Sequence, residues 1–135
     1  MTLIEINGDS ELLLVDDDPE FHIIFEYIYN RQNEVDNQLV GLKSGEECLT
    51  YLSELTLSGK NFPSLILMDI NMPGLSGIET LIKIRDSREF QKVPVVAMLS
   101  SSNYQGDIDR SKEAGAIDYF EKPFKMNDLV LKKVS

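Results

Sequence analysis

Short aliphatic runs alternate along this chain with longer stretches in which apolar residues recur at helical spacing. The runs are LLLV (12–15), NQLVGL (37–42), SLILMD (64–69), VPVVAML (93–99) and AIDYFE (116–121). The first, third and fourth are apolar without alternation, as expected of strands covered on both faces of a parallel sheet. After Asp18-Pro19, Phe21, Ile24, Phe25 and Ile28 predict a first helix, with Pro19 suited to its first turn. Cys48, Leu49, Leu52 and Leu55 mark a second helix, and Ile78, Leu81, Ile82 and Arg85 a third. A fourth, from about Tyr104 to Ala114, is weakly apolar and stops at Gly115, a residue suited to a helix C-cap. A fifth, short, starts near Met126.

Five strands alternating with five helices predict a single doubly wound α/β domain with right-handed crossovers. The domain is expected to cover residues 11–135, with residues 1–10 as an N-terminal segment. In such folds the binding crevice lies beyond the carboxyl ends of the strands. Those ends carry the polar chemistry: Asp16-Asp17 after the first run, Asp69 closing the third, Ser100 after the fourth, and Glu121-Lys122 at the fifth.

Carboxylates crowded at one edge repel each other unless a cation joins them. Hard oxygen ligands with no His or Cys among them select Mg²⁺. The competing reading is that Asp16, Asp17 and Asp18 cap the first helix. One cap needs one aspartate, and that role falls to Asp18. Asp69, at a strand tip before the turn MPG, can act as a nucleophile toward phosphorus and form an acyl phosphate. It can equally bond turn amides, and on residue type alone the two readings are evenly matched. A phosphoryl group there would need a cation and a hydroxyl donor, which Lys122 and Ser100 provide.

Composition narrows the options. The 135 residues suffice for one domain, and a net charge of -10 argues against direct nucleic-acid binding, which needs clustered Lys and Arg. Cys48 is the single cysteine, so no internal disulfide can form, and its apolar neighbours suggest a buried thiol. No stretch approaches the length of a membrane span and the start lacks the basic residues of a signal peptide, so a cytoplasmic protein without membrane contact is expected. His22, the only histidine, is read as a helix-face side chain near the acidic cluster rather than a phosphorylated one.

The pieces LLLVDDD, LILMDINMPGLSG, LSS and EKPF, in this order, resemble the receiver domain of two-component response regulators. The likeness runs from about Glu11 to Val134 and is to the single-domain, chemotaxis-regulator-like kind. It implies a flavodoxin-like fold with strand order 2-1-3-4-5. It also implies that Asp16 and Asp17 hold Mg²⁺, with Asp17 a direct ligand, and that Asp69 is both phosphoacceptor and ligand. The backbone carbonyl of Asn71 would complete the protein's share of the metal site. Ser100 matches the family's switch hydroxyl, Lys122 its lysine, and Tyr119 the aromatic that turns inward on activation. Pro94 lies six residues before Ser100 where the family has five, which we read as one extra residue in the preceding loop. Ser101 is the weaker alternative.

By this resemblance the chain takes a phosphoryl group from a sensor histidine kinase or histidine phosphotransfer protein. It then signals to a downstream protein partner through the fourth helix, fifth strand and fifth helix, a face through which the family also forms homodimers. Asn71 and Ser102, where the family tunes phosphoryl lifetime, predict neither extreme. A free-standing receiver is favoured over one cut from a longer protein. Two other functions compete. An interaction module that works without phosphorylation would tend to lose the acids, the acceptor or the lysine, all of which are here. An aspartyl-phosphate phosphatase would need an acid at position 71, which is Asn, so a switch rather than an enzyme is expected.

Overall fold

The computed structural model describes residues 2–32, 34–90, 96–102, 104–123, 125 and 129–134. In chain order its elements are β1 (Thr2–Asn7), β2 (Leu12–Val15), α1 (Pro19–Arg31), β3 (Leu39–Leu42), α2 (Gly45–Ser58) and β4 (Leu65–Asp69). There follow α3 (Gly77–Asp86), a 3-10 turn (Arg88–Phe90), β5 (Val96–Ser100), α4 (Gln105–Glu113), β6 (Asp118–Glu121) and β7 (Leu129–Val134). Strands β2 to β6 form a parallel sheet in the order β3-β2-β4-β5-β6, which is the expected 2-1-3-4-5 of the five aliphatic runs. Every residue of the inner strands β2, β4 and β5 is buried, whereas the edge strands β3 and β6 are only partly covered. Edge position explains why the runs at 37–42 and 116–121 mix polar with apolar residues. Pro94 and the start of the fourth run lie outside the described residues.

Successive residues of a strand face opposite sides. Leu12, Leu14, Leu65, Leu67, Ala97 and Leu99 thus pack with Phe21, Phe25 and Tyr29 of α1 on one face. Leu13, Val15, Ile66, Met68 and Met98 meet Cys48 and Leu52 of α2 and Leu81 and Ile84 of α3 on the other. The helix starts follow from their caps. The Asp18 carboxylate accepts from the Glu20 amide with Pro19 in the first turn, and Ser76 and Glu79 form a reciprocal capping box on α3. Two positions depart from the predicted stripes. Ile24 is exposed while Tyr29 is buried, and Ile82 is exposed while Ile84 is buried. Each helix is rotated toward an i, i+4 or i, i+3 row.

The fifth helix expected from Met126 is not formed over residues 129–134, which are the strand β7; Met126 itself lies outside the described residues. β7 pairs in parallel with β1, Thr2 opposite Leu129 through Asn7 opposite Val134, in a separate two-stranded sheet. The reason is periodic. Leu129 and Leu131 point inward at spacing two, as do Ile4 and Ile6 on β1, with Ile4 opposite Leu131, and all four join the α1-side core. A short helix carries a nucleation cost that a strand with a ready partner avoids. The ribbon is anchored by Thr2 donating to Asp118, by the Asn7 amide to Ser64 Oγ (3.0 Å), and by Lys133 Nζ to Asp36 (3.0 Å).

Candidate functional site

The sheet register brings the predicted site residues to one edge. Val15 lies opposite Met68, Asp69 opposite Leu99, and Ser100 opposite Glu121. The chain therefore leaves β2 at Asp16, β4 at Asp69, β5 at Ser100 and β6 at Lys122 on the same level. Backbone bonds knit these exits together: Asp16 N to Leu42 O at 3.0 Å, Ile70 N to Leu99 O at 2.9 Å, and Lys122 N to Ser100 O at 2.7 Å.

Asp16 is fully buried, Asp69 is 6% exposed and Asp17 is open to solvent. Each offers a carboxylate oxygen within 4.8 Å of the others. Lys122 Nζ donates to Asp16 Oδ2 at 2.6 Å and stands 3.4 Å from Asp69 Oδ1, with its ammonium 4.2 Å over the Phe21 ring. One ammonium against three carboxylates leaves the site with excess negative charge. Oxygen donors alone, with that excess, suit a hard divalent cation. Burial pushes the Asp69 pKa from 3.8 to about 6, with Asp16 and Asp17 adding to the rise and Lys122 opposing it. For Lys122, burial by itself would lower the pKa, but its bonds and charge attraction to Asp16 and Asp69 outweigh that and raise it.

The loop after β4 depends on two glycines. Gly74 has φ +76°, a left-handed conformation that favours glycine. Gly77 packs so closely beneath β4 that a methyl group there would overlap the Asp69 carbonyl oxygen. Asn71 sits exposed in this loop, two residues beyond Asp69.

Ser100 is fully buried and its Oγ accepts from the Ser102 amide at 3.1 Å; Ser101 is exposed. The Tyr119 hydroxyl donates to the Ser102 carbonyl, and its half-buried ring packs against the α2–α3 core. An open cavity of about 470 Å³ lined by Tyr119, Phe120, Glu121, Lys122, Pro123 and Lys125 flanks this strand end. Among the described residues beyond β6 the chain forms β7 and no fifth helix, so of the expected face of fourth helix, fifth strand and fifth helix these residues show the first two parts, α4 and β6. Two participants went unread in the sequence: Phe21 lies under the lysine, and Gly77 admits the Asp69 backbone. Ser102, expected only as a flank of the phosphoryl site, also links Ser100 to Tyr119. For Phe21 a signal existed, since it falls one turn after the aspartates, but core packing accounted for it already.

Comparison with known proteins fits this geometry. Residues 12–133 match the family described as the response regulator receiver domain. The two-component response regulator ARR6 of Arabidopsis thaliana is 48% identical over 66 residues, 49% of this chain and 35% of that protein. A two-component response regulator structure from Cytophaga hutchinsonii superposes with a TM-score of 0.79 at 28% identity, covering 91% of this chain and 90% of that one. The phosphorylated cyanobacterial phytochrome response regulator RcpA superposes with a TM-score of 0.72 at 25% identity, covering 90% and 86%. The chain spans less than half the length of the curated relatives it matches.

Proposed function

Because the chain belongs to the response regulator receiver domain family, we propose that it accepts a phosphoryl group on Asp69 from a phosphohistidine and relays that event to a protein partner. The observation that carries this reading is the buried Asp69 carboxylate at a strand end, 3.4 Å from Lys122 and within 4.8 Å of the oxygens of Asp16 and Asp17. RcpA, a relative of similar fold, is known in a phosphorylated state.

In the proposed step an Asp69 oxygen attacks phosphorus. The P–O bond forms as the P–N bond to the donor imidazole breaks, and the imidazole leaves. With a pKa of about 6, Asp69 is mostly ionised at neutral pH, as a nucleophile must be. Lys122, pinned by Asp16, waits where the transferred oxygens would come to lie and needs no reorganisation to pair with them. Asp16, Asp17, Asp69 and the Asn71 carbonyl would hold Mg²⁺, whose contribution is to neutralise charge on the phosphoryl oxygens.

The signal follows from a short chain of hydrogen bonds. The Ser100 hydroxyl is the nearby donor for a new phosphoryl oxygen, and turning toward it disturbs the bond from Ser102 N. Ser102 in turn holds the Tyr119 hydroxyl, so the aromatic ring is released or drawn in by the same motion. The surfaces that change are α4, of which only Ser111 is buried, and the open edge at β6. The donor on this reading is a sensor histidine kinase or a histidine phosphotransfer protein, and the setting is the cytoplasm. Among the described residues no helix is long and apolar enough to cross a membrane. The protein works as a switch rather than on a small-molecule substrate.

Intact-mass spectrometry after incubation with a small phosphoryl donor tests the proposal. One Mg²⁺-dependent phosphoryl adduct is expected in the wild type and none in Asp69→Asn. A folded wild type that gains no adduct from a small donor or from a phosphohistidine protein refutes it.

A further inference from the structure

Two residues that the phosphoryl-transfer reading leaves unused meet beside the site. His22, the chain's only histidine, lies in the first turns of α1, and Gly41 lies within the edge strand β3. The His22 ring nitrogen Nε2 is 2.7 Å from the backbone carbonyl of Asp16. A carbonyl can only accept, so Nε2 carries the proton and donates. The other edge of the ring lies against Gly41: a β-carbon there would sit 2.8 Å from Nδ1 and 3.1 Å from Cε1. Glycine inside a strand weakens it and marks a close approach; here what approaches is the imidazole.

We infer that His22 is a positioning residue, held by the gap at Gly41, that fixes the main chain at Asp16 and so aims the Asp16 and Asp17 carboxylates. This rests on the proposed metal-assisted phosphoryl transfer. The Asp16 peptide is gripped from both sides, its amide by Leu42 O at 3.0 Å and its carbonyl by His22. Its side chain is held as well, Oδ1 by the Asp18 amide at 2.9 Å and Oδ2 by Lys122. Of these four restraints, the imidazole is the one that a substitution outside the acidic cluster and the lysine can remove cleanly. Without it the carbonyl is free to rotate, and the direction in which Asp17 leaves the strand is no longer set. Groups that orient metal-binding carboxylates act on affinity even though they touch no metal.

The test compares Mg²⁺ affinity by titration calorimetry and metal-free thermal midpoints for the wild type, His22→Leu, His22→Gln and Gly41→Ala. Glutamine places an amide nitrogen the same number of bonds from Cα as Nε2, so His22→Gln should bind Mg²⁺ nearly as the wild type does. His22→Leu should bind about tenfold more weakly. Gly41→Ala should also weaken binding, because its methyl group displaces the ring, although alanine suits a strand interior better than glycine and should not lower the midpoint. Equal Mg²⁺ affinity in the wild type and His22→Leu overturns the positioning role while leaving the phosphoryl reading intact. Equal losses in His22→Leu and His22→Gln overturn it too, since the hydrogen bond would then not be what matters. A wild type that binds no Mg²⁺ overturns both.

Discussion

Replacing Asp69 with asparagine removes a buried negative charge from a site that already holds two others, and in the metal-free protein this should raise stability. The size of the effect follows from the pKa. Burial carries Asp69 from 3.8 to about 6. At about 1.4 kcal/mol per unit, keeping this group ionised at neutral pH costs on the order of 3 kcal/mol. That figure is already net of the attraction to Lys122, 3.4 Å away, and the asparagine amide, buried beside the ammonium, gives back part of it, so a net gain of about 1–3 kcal/mol is expected. For a chain of this length that is a rise in Tm of roughly 4–12 °C.

The pH dependence carries the sign. The folded-state pKa is raised, so the protonated group favours the native state. Its contribution is complete below 3.8 and is lost as pH rises through about 6. The gap between variant and wild type should therefore be small near the lower value and full above the upper one. Added Mg²⁺ should stabilise the wild type by mass action and the variant much less. Thermal melts in chelator at a series of pH values measure this directly. A gap that does not change across that range, or a variant less stable than the wild type at neutral pH, would refute the account of a strained carboxylate cluster.

Other expectations use different parts of the molecule. Gly77→Ala would place a methyl group against the Asp69 carbonyl; it should cost about 1–3 kcal/mol in denaturant melts, although alanine is the better helix residue, and it should slow phosphoryl uptake. Leu131→Ala, in the buried face of β7, should cost about 2–5 kcal/mol, whereas Lys132→Ala on the outer face should stay within about 0.5 kcal/mol; equal effects would show that the ribbon does not pack as described. Cys48 is fully buried and its pKa is pushed up to about 12 by burial, so a thiol reagent should label it only at the rate of unfolding, and rapid labelling of native protein would contradict that.

The parts of this fold legible in the sequence are those in which one physical cause dominates. The continuous apolar runs at 12–15 and 64–69 could only be covered on both faces, and they are the inner strands. Asp18 before a proline could serve as a cap, and does. Asp16, Asp69 and Ser100 were readable because each closes an apolar run, and Lys122 because it follows the edge run at 116–121; parallel register then brings these strand ends together. The last segment failed for the opposite reason. LVLKKV has inward residues compatible with either period, and only a partner strand, TLIEIN, decides between them. Gly41 and Gly77 were silent because a glycine's reason is the atom lying above it, and that atom comes from elsewhere in the chain. His22 was read as a helix-face residue, and its carbonyl partner became visible only once the turn at Asp16 had a shape.

The β1–β7 ribbon also bears on the order in which the molecule assembles. It joins segments from opposite ends of the sequence, so its pairing requires closing a loop of almost the whole chain, an entropic cost that grows with the logarithm of length. The inner sheet has shorter crossovers to close. Contacts of such long separation are expected to form after the transition state, so β1 and β7 should zip last and open first. Loosening the ribbon would then hasten unfolding while leaving the folding rate almost unchanged, and the α1-side core beneath it would be the first to meet water.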